Sequence, residues 1–424
     1  MSRAADRRGA IHRPSIRSHD PPRGPLARRS RLPMPSELLT RDQLHTSDAI
    51  ALPSADETVE GRAERHDAYP IVVTRTLAEC LECLRSLVAD AHVVVITDRT
   101  VADLHGQALL GALGSVEIEP EVAVVPAGER HKTLEQAFEL LDWLTGTQLT
   151  RRDVIVTFGG GVVVDMGGWV ASCYMRGVRY LNVPTTLVGQ VDAGIGGKLA
   201  VNHPVAKNLI GGFFQPLGVV SNVGFLATLD ARQLRAGLAE SIKKAIIASP
   251  AYWDLIETDA EPILASDLDA LERLVRGASA IKAELIARDP YEEDSRRTLG
   301  FGHALAHPLE TVTSYSAVLH GEAVAFGMAV EIEMAVARGL LSAATAERML
   351  GLIRRVGLPT TADELPAPVD AQRLLAATER IRLIRGGAYR FVLPVDVGET
   401  VIADDVTPRE LRAALRGCGI DAGR

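Results

Sequence analysis

Val154–Phe158 is an apolar run, largely β-branched, that passes straight into Gly159–Gly160–Gly161 and then into a helical pattern. A buried strand, a glycine turn and a helix in that order point to a mostly parallel sheet covered by helices. The glycines also let backbone N–H groups approach a phosphate closely. Their spacing is not the dinucleotide pattern G-x-G-x-x-G, because Val164 stands where the third glycine would be. On these residues alone a tight structural turn and a nucleotide site are equal readings. Asp165 adds a carboxylate nearby, and Asp98 ends an earlier strand, where it can accept hydrogen bonds from ribose hydroxyls.

The alternation extends in both directions. Ile71–Val73 and His92–Thr97 read as short buried strands, with a helix between them over Leu77 to Leu87. Thr133–Leu134–Glu135–Gln136 has the shape of a capping box, opening a helix whose apolar face is Leu134, Ala137, Phe138, Leu141 and Leu144. Tyr180–Val183 is a further strand, closed by Pro184. Beyond about Arg232 long helical patterns take over: Gln233–Ala248, Leu268–Ala287, Glu322–Arg338 and Ala344–Val356, the third ending at a C-cap glycine, Gly339. The expected organisation is an α/β nucleotide-binding domain over 67–232 and a mainly helical metal- and substrate-binding domain over 233–424. A cleft between domains is the usual place for a small-molecule site. Residues 1–66 read as a disordered extension; Met1–Pro33 is rich in arginine and proline and has no apolar core. It lacks the amphipathic period of a transit peptide, and Met34 offers an alternative start.

A formal net charge of −8 over 424 residues argues against nucleic acid as the main partner. No run of about twenty apolar residues is present, so no membrane helix is expected. The four cysteines are scattered, and Cys80/Cys83 has no second pair to complete a zinc knuckle. A reducing, cytoplasmic setting fits that pattern.

His303 and His307 are four apart, so a helix would present them on one face. His320 follows after a loop, and Glu240 stands in Gly237–Leu238–Ala239–Glu240. Two imidazoles and a carboxylate from separate segments can hold a divalent metal and leave a position open, which is the catalytic pattern. The alternatives are a surface histidine pair and an i,i+3 salt bridge between Glu240 and Lys243. Pro308 places His307 near a helix start or a distortion. Between Pro184 and Asn208, Thr185, Thr186, Gln190, Asp192, Lys198, Asn202, His203, Lys207 and Asn208 are interspersed with glycines, a composition suited to cradling a phosphate or to a solvated loop. Lys282, Glu292 and Arg296 flank an acidic stretch and on their own would pass for a charged surface.

Taken in order, these segments resemble the sugar phosphate cyclases, most closely 3-dehydroquinate synthase. The resemblance runs from about Tyr69 to about Leu415. It is carried by Gly128–Glu129–Arg130–His131–Lys132, Gly159–Asp165, Pro184–Leu187, Val191–Asp192, Gly196–Lys198, Ala200–Pro204, Lys207–Asn208, Gly237–Glu240, Phe301–His303 and His320–Val324. It implies bound NAD and a divalent metal, zinc or cobalt, with Glu240, His303 and His320 as the metal ligands. Asp98, Glu129, Lys132, Gly160, Gly161, Asp165, Thr185 and Thr186 would hold NAD, and Lys207 would serve either NAD or substrate. Asp192, Lys198, Lys243, Lys282, Glu292, Arg296 and His307 would act on substrate. Arg176, Lys198, Asn208 and His307 would bind its phosphate. Arg176 would do so from a neighbouring subunit, implying a homodimer. The implied chemistry is hydride transfer from a carbinol of a seven-carbon keto-sugar phosphate to NAD, β-elimination of phosphate, return of the hydride, ring opening and an intramolecular aldol closure.

Two positions depart from dehydroquinate synthase. Gly300 stands for its asparagine three residues before the first metal histidine, and Ile381–Arg382–Leu383 stands for its Asp–Lys–Lys, with Arg382 as a stand-in for the lysine charge. Val191–Gly196 also looks more like the valiolone-type cyclases, whose substrate is sedoheptulose 7-phosphate. Against that, Lys282 and Arg296 stand where dehydroquinate synthases grip a carboxylate, and His307 replaces the proline common in valiolone-type enzymes. The expectation is a dehydroquinate synthase-like activity on 3-deoxy-arabino-heptulosonate 7-phosphate. A cyclitol-forming cyclase making 2-epi-5-epi-valiolone or 2-epi-valiolone is the alternative, and an iron-type polyol dehydrogenase or a non-catalytic homologue the remoter ones.

Overall fold

The apolar runs of the first half become strands and helices that alternate as far as the strand Arg179–Pro184. β1 (Ile71–Thr74), α1 (Leu77–Val88) and β2 (Val93–Asp98) lead into α2 (Arg99–Val101), which passes through a π-turn into α3 (Gln107–Gly114). β3 (Glu121–Val125), α4 (Leu134–Gly146), β4 (Val154–Gly159), α5 (Gly161–Cys173) and β5 (Arg179–Pro184) follow. A hairpin of β6 (Lys198–His203) and β7 (Ala206–Phe213) precedes β8 (Gly218–Asn222). The computed structural model describes residues 67–421 apart from 205, 292–294, 385, 386 and 388, so the extension over 1–66 lies outside the described residues.

Among the described residues six strands form one parallel sheet in the order β1-β8-β5-β4-β2-β3. Side chains alternate across it, as the strand period requires. Val94, Ile96 and Ile155 pack with Ala137, Leu140 and Val170 on one face, and Val93, Val95 and Val156 with Leu84, Leu109 and Leu113 on the other. α4 corrects the expected apolar face. Ala137, Leu140 and Leu144 are buried, whereas Phe138 is 69% exposed, because the helix is rotated by about one residue relative to that reading. Thr133 accepts from the Gln136 N–H as a cap, without the reciprocal bond of a full box.

The second half runs α6 (Ala231–Ala248), α7 (Pro250–Leu264), α8 (Leu268–Arg288), α9 (His303–Val312), α10 (His320–Ala337), α11 (Ala343–Arg355) and α12 (Ala371–Ile384), then the hairpin β9 (Phe391–Asp396) and β10 (Glu399–Ala403), and α13 (Pro408–Gly417). α10 is buried on nearly every side, which is why its sequence lacks a polar stripe. Gly339 follows it in the left-handed region at φ +68°. Pro308 lies inside α9, so His307 sits in mid-helix, not at a start; α9 continues through the proline to Val312.

Two glycines set the spacing of the site. A Cβ at Gly321 would collide with the Ala236 carbonyl oxygen, so only glycine lets the start of α10 rest on α6 one turn before Glu240. Gly302 precedes α9 with φ +78°, and a Cβ there would lie 2.6 Å from the Val324 carbonyl oxygen in α10. Among the described residues no helix is long and apolar enough to cross a membrane.

Candidate active site

A cleft of about 1360 Å³ opens at the C-terminal ends of β2, β4 and β5 and continues to α6, α8, α9 and the start of α10. Ligands in open parallel sheets bind at this edge, because the strand-to-helix turns there present backbone N–H groups. Gly160 is the extended N-cap of α5, and a Cβ on it would meet Thr186 Cγ2 at 3.0 Å. Asp98, Glu129, Lys132, Gly160, Gly161, Asp165, Thr185 and Thr186 all line this part of the cleft. Asp98 Oδ1 accepts from the Val101 N–H at 3.0 Å, so one oxygen is committed to capping α2. Thr185 Oγ1 is buried without a partner, a free polar group facing ligand space. These features fit a nucleotide.

Charge in the nucleotide region is closely paired. The buried Lys132 ammonium donates to Asp165 Oδ2 at 2.5 Å and to Asn208 Oδ1 at 2.6 Å. Asn202 donates to Glu129 Oε1 at 2.8 Å. Burial alone would raise the Glu129 carboxyl, but Lys207 and Lys132 outweigh it and hold it at about 2. Asp165 shifts the other way, since its burial exceeds the help it gets from Lys132.

At the far end, Glu240, His303 and His320 each offer one ligand atom, and these atoms lie within 4.8 Å of one another. Glu240 Oε1 is 3.5 Å from His303 Nε2 and 3.4 Å from His320 Nε2. The carboxylate is fully buried, and neither oxygen has a hydrogen-bond partner of acceptable geometry, although Lys243 Nζ is 2.5 Å from Oε2. Burial and the neighbouring Lys243 push the His303 imidazole well below its usual range, so it is neutral. Its Nδ1 bonds the Phe301 carbonyl at 3.1 Å, leaving Nε2 to face Glu240. An orphaned buried carboxylate with two imidazoles whose Nε2 atoms converge on it fits a zinc-class divalent ion. The i,i+3 contact between Glu240 and Lys243 is therefore present together with the ligand geometry.

Between the two ends Asp192, on the π-turn Gly189–Ala193, forms the centre of a cation cluster. Lys244 Nζ lies 2.8 Å from Asp192 Oδ1, and Lys282 Nζ donates to the same oxygen at 2.9 Å and to the Asp192 carbonyl at 2.5 Å. Burial draws Lys282 down to about 8 despite Asp192. Lys198, Lys207, Asn208, Lys243 and His307 also line the cleft, as do Gly300, Thr378, Ile381, Tyr389 and Val392.

Arg176 is exposed beyond α5 with φ +65° and does not line this cleft. Glu292 lies outside the described residues, as does the side chain of Arg296, whose backbone falls in the 3-10 turn Ser295–Gly300. Arg382 lines the cleft but is engaged by neighbours of its own. It pairs with Glu379 at 2.5 Å and stacks on Tyr389, whose hydroxyl donates to the same carboxylate. Three buried residues escaped the sequence reading. Lys244, rather than Lys243, pairs with Asp192; Glu310 bonds His320 and Lys207; and Glu331 accepts from the Gly302 N–H at 2.9 Å, next to His303. Burial raises the Glu331 carboxyl well above its usual range.

The family models of the 3-dehydroquinate synthase N-terminal and C-terminal regions match residues 122–236 and 237–380. A 2-epi-valiolone synthase from Actinosynnema mirum is 51% identical over 368 residues, covering 87% of this chain and 96% of that one. A 3-dehydroquinate synthase from Desulforamulus reducens is 38% identical over 349 residues, covering 82% and 96%. Among solved structures, the 2-epi-5-epi-valiolone synthase ValA from Streptomyces hygroscopicus subsp. jinggangensis 5008, with NAD+ and Zn2+ bound, superposes with a TM-score of 0.79. It is 32% identical, and the match covers 85% of this chain and 99% of ValA. The higher identity to a valiolone synthase favours the alternative over the dehydroquinate expectation.

Proposed function

Since this chain belongs to the 3-dehydroquinate synthase family of sugar phosphate cyclases, enzymes of the lyase kind, we propose that it converts sedoheptulose 7-phosphate to 2-epi-valiolone, using NAD and zinc. The 51% identity to a 2-epi-valiolone synthase carries this reading. The site supports it, because Lys282, expected to read a substrate carboxylate, already has Asp192 as its counter-charge. Gly300, Ile381 and Val392 on the neighbouring wall are themselves uncharged. Beside Lys282 a neutral hydroxymethyl group disturbs no existing ion pair, whereas a carboxylate would compete with Asp192.

Bound NAD would supply reversible hydride acceptance, and zinc held by Glu240, His303 and His320 a Lewis acid for the substrate oxygens. The protein supplies position and charge. Lys243, buried beside Glu240 and lining the cleft, stabilises negative charge that develops on the substrate as a proton leaves carbon, with the enclosed Lys244 behind it. Asp192 holds Lys244 and Lys282 on one wall, fixing where those charges sit. Lys198, Asn208 and His307 face the cleft where the phosphate would lie, and Arg176 of a second copy would complete that pocket in a homodimer. Enclosing the substrate in one cleft through elimination and aldol closure is a positioning effect. Four free cysteines among the described residues agree with a cytoplasmic enzyme.

With sedoheptulose 7-phosphate, NAD and zinc, the expected products are inorganic phosphate and a carbocycle, in equal amounts and without net NADH. NADH accumulating in step with substrate use would place the chain with the polyol dehydrogenases instead. Lys282 gives a pH signature. Burial lowers it from the usual 10.5 to about 8, so it is a cation below that pH and neutral above. kcat/KM is expected to fall as pH rises through about 8, and Lys282→Arg, which cannot deprotonate, to lose that limb. The same shift makes the unfolded chain bind the extra proton between about 8 and 10.5, so Lys282 disfavours folding below 8 and this cost fades as pH rises.

A further inference from the structure

We propose that Glu310 is a positioning residue of the metal site, fixing the orientation and tautomer of His320 while Lys207 anchors it. The inference rests on Glu240, His303 and His320 being the metal ligands. Glu310 lies on α9, two turns beyond His303, and is only 3% exposed. Its two oxygens have different partners: Oε2 is 3.2 Å from His320 Nδ1, and Oε1 is 2.5 Å from Lys207 Nζ. A histidine that ligates through Nε2 needs an acceptor for its Nδ1–H, which sets the tautomer and stops the ring from turning. His303 has the Phe301 carbonyl for this purpose, and His320 has Glu310. One short helix thus supplies a ligand and orients the other.

Lys207 makes the arrangement specific. It projects from β7 on the nucleotide side, with its ammonium 3.7 Å from Glu129 as well as 2.5 Å from Glu310. With a cation on one oxygen and an imidazole N–H on the other, the Glu310 carboxylate is held from both sides. A neutral side chain in its place would leave Lys207 buried beside a weaker partner.

The test is the zinc dissociation constant of metal-free, nucleotide-free protein, measured by competition with a chromogenic chelator. Glu310→Ala is expected to weaken zinc by about 10- to 100-fold. Glu310→Gln keeps an acceptor for Nδ1–H and should recover part of that loss; being isosteric, it also guards against misfolding. The melting temperature of each metal-free variant is recorded alongside. Zinc affinity within twofold of wild type in Glu310→Ala would overturn the proposal, as would equal losses in the alanine and glutamine variants, which would show that zinc binding needs the carboxylate charge and not an acceptor for Nδ1–H. Glu240→Gln separates the two levels. If it loses zinc while Glu310→Ala does not, the positioning role fails and the ligand set stands; if it keeps zinc, the ligand set itself fails.

Discussion

Glu240→Ala is expected to abolish phosphate release and zinc binding together, and to destabilise the metal-free protein by about 3–5 kcal/mol. The carboxylate is fully buried, with Lys243 Nζ at 2.5 Å and Lys244 Nζ at 3.5 Å, and both lysines are almost completely enclosed. Among the described residues Glu240 is the only anion paired with both; without it Lys243 keeps no ion pair and Lys244 keeps Asp192 alone. Lys244 is fully enclosed and Lys243 meets only the cleft, so the cost is nearer that of an uncompensated charge than of a surface ion pair. Metal content by elemental analysis and denaturant unfolding at unchanged m-value would measure the two effects separately. Full zinc occupancy with normal turnover in this variant would remove Glu240 from the ligand set.

Asp192→Ala should be nearly as damaging, for a different reason. Asp192 carries Lys244 on Oδ1 and Lys282 on both Oδ1 and the backbone carbonyl. Both lysines hold the Asp192 carboxyl far below its ordinary range, against the effect of burial. Without it, about 3–5 kcal/mol of stability is expected to be lost, because Lys244 has no exposure and Lys282 very little. The double variant Asp192→Ala/Lys244→Met should regain part of that stability by deleting one of the stranded cations, without regaining activity. A double variant no more stable than Asp192→Ala would show that the carboxylate acts through packing instead of charge.

The parts of this molecule that were readable from sequence share a physical character. β2 and β4 are buried on both faces, so they appear as unbroken apolar runs, and the strand–glycine–helix passage at Gly159 to Gly161 leaves one interpretation of the backbone. α6, α8 and α10 start and stop within two residues of their expected limits, since long periodic segments carry their own ends. β3 and β8 were not seen. β3 is an edge strand with Glu121 and Val124 exposed, and β8 is five residues long and buried through pairing with distant β1 and β5. The β6–β7 hairpin was hidden by its glycines and amides, and β9–β10 by its place in a mainly helical region. Phe138 was read as core because periodicity alone does not fix the rotation of a helix. At the site, Glu240, His303 and His320 were named because they sit in recognisable motifs. Glu310 was missed because the groups that give it meaning come from elsewhere: Lys207 is 103 residues away and belongs to a strand that was itself unseen. Lys244 beside Lys243 had no sequence feature to show which of the two turns toward Asp192.

The role of Lys282 is open in the sequence for a related reason. A lysine in sequence is a charge without a partner, and only the fold shows that Asp192, 90 residues earlier, already supplies one. The decisive measurement is phosphate release by the purified enzyme with NAD and zinc, on sedoheptulose 7-phosphate and on 3-deoxy-arabino-heptulosonate 7-phosphate in parallel. Turnover of sedoheptulose 7-phosphate, with the carboxylate-bearing sugar left unchanged, is the expected result. Turnover of 3-deoxy-arabino-heptulosonate 7-phosphate alone would contradict it, and would mean that Lys282 leaves Asp192 to read a substrate carboxylate after all.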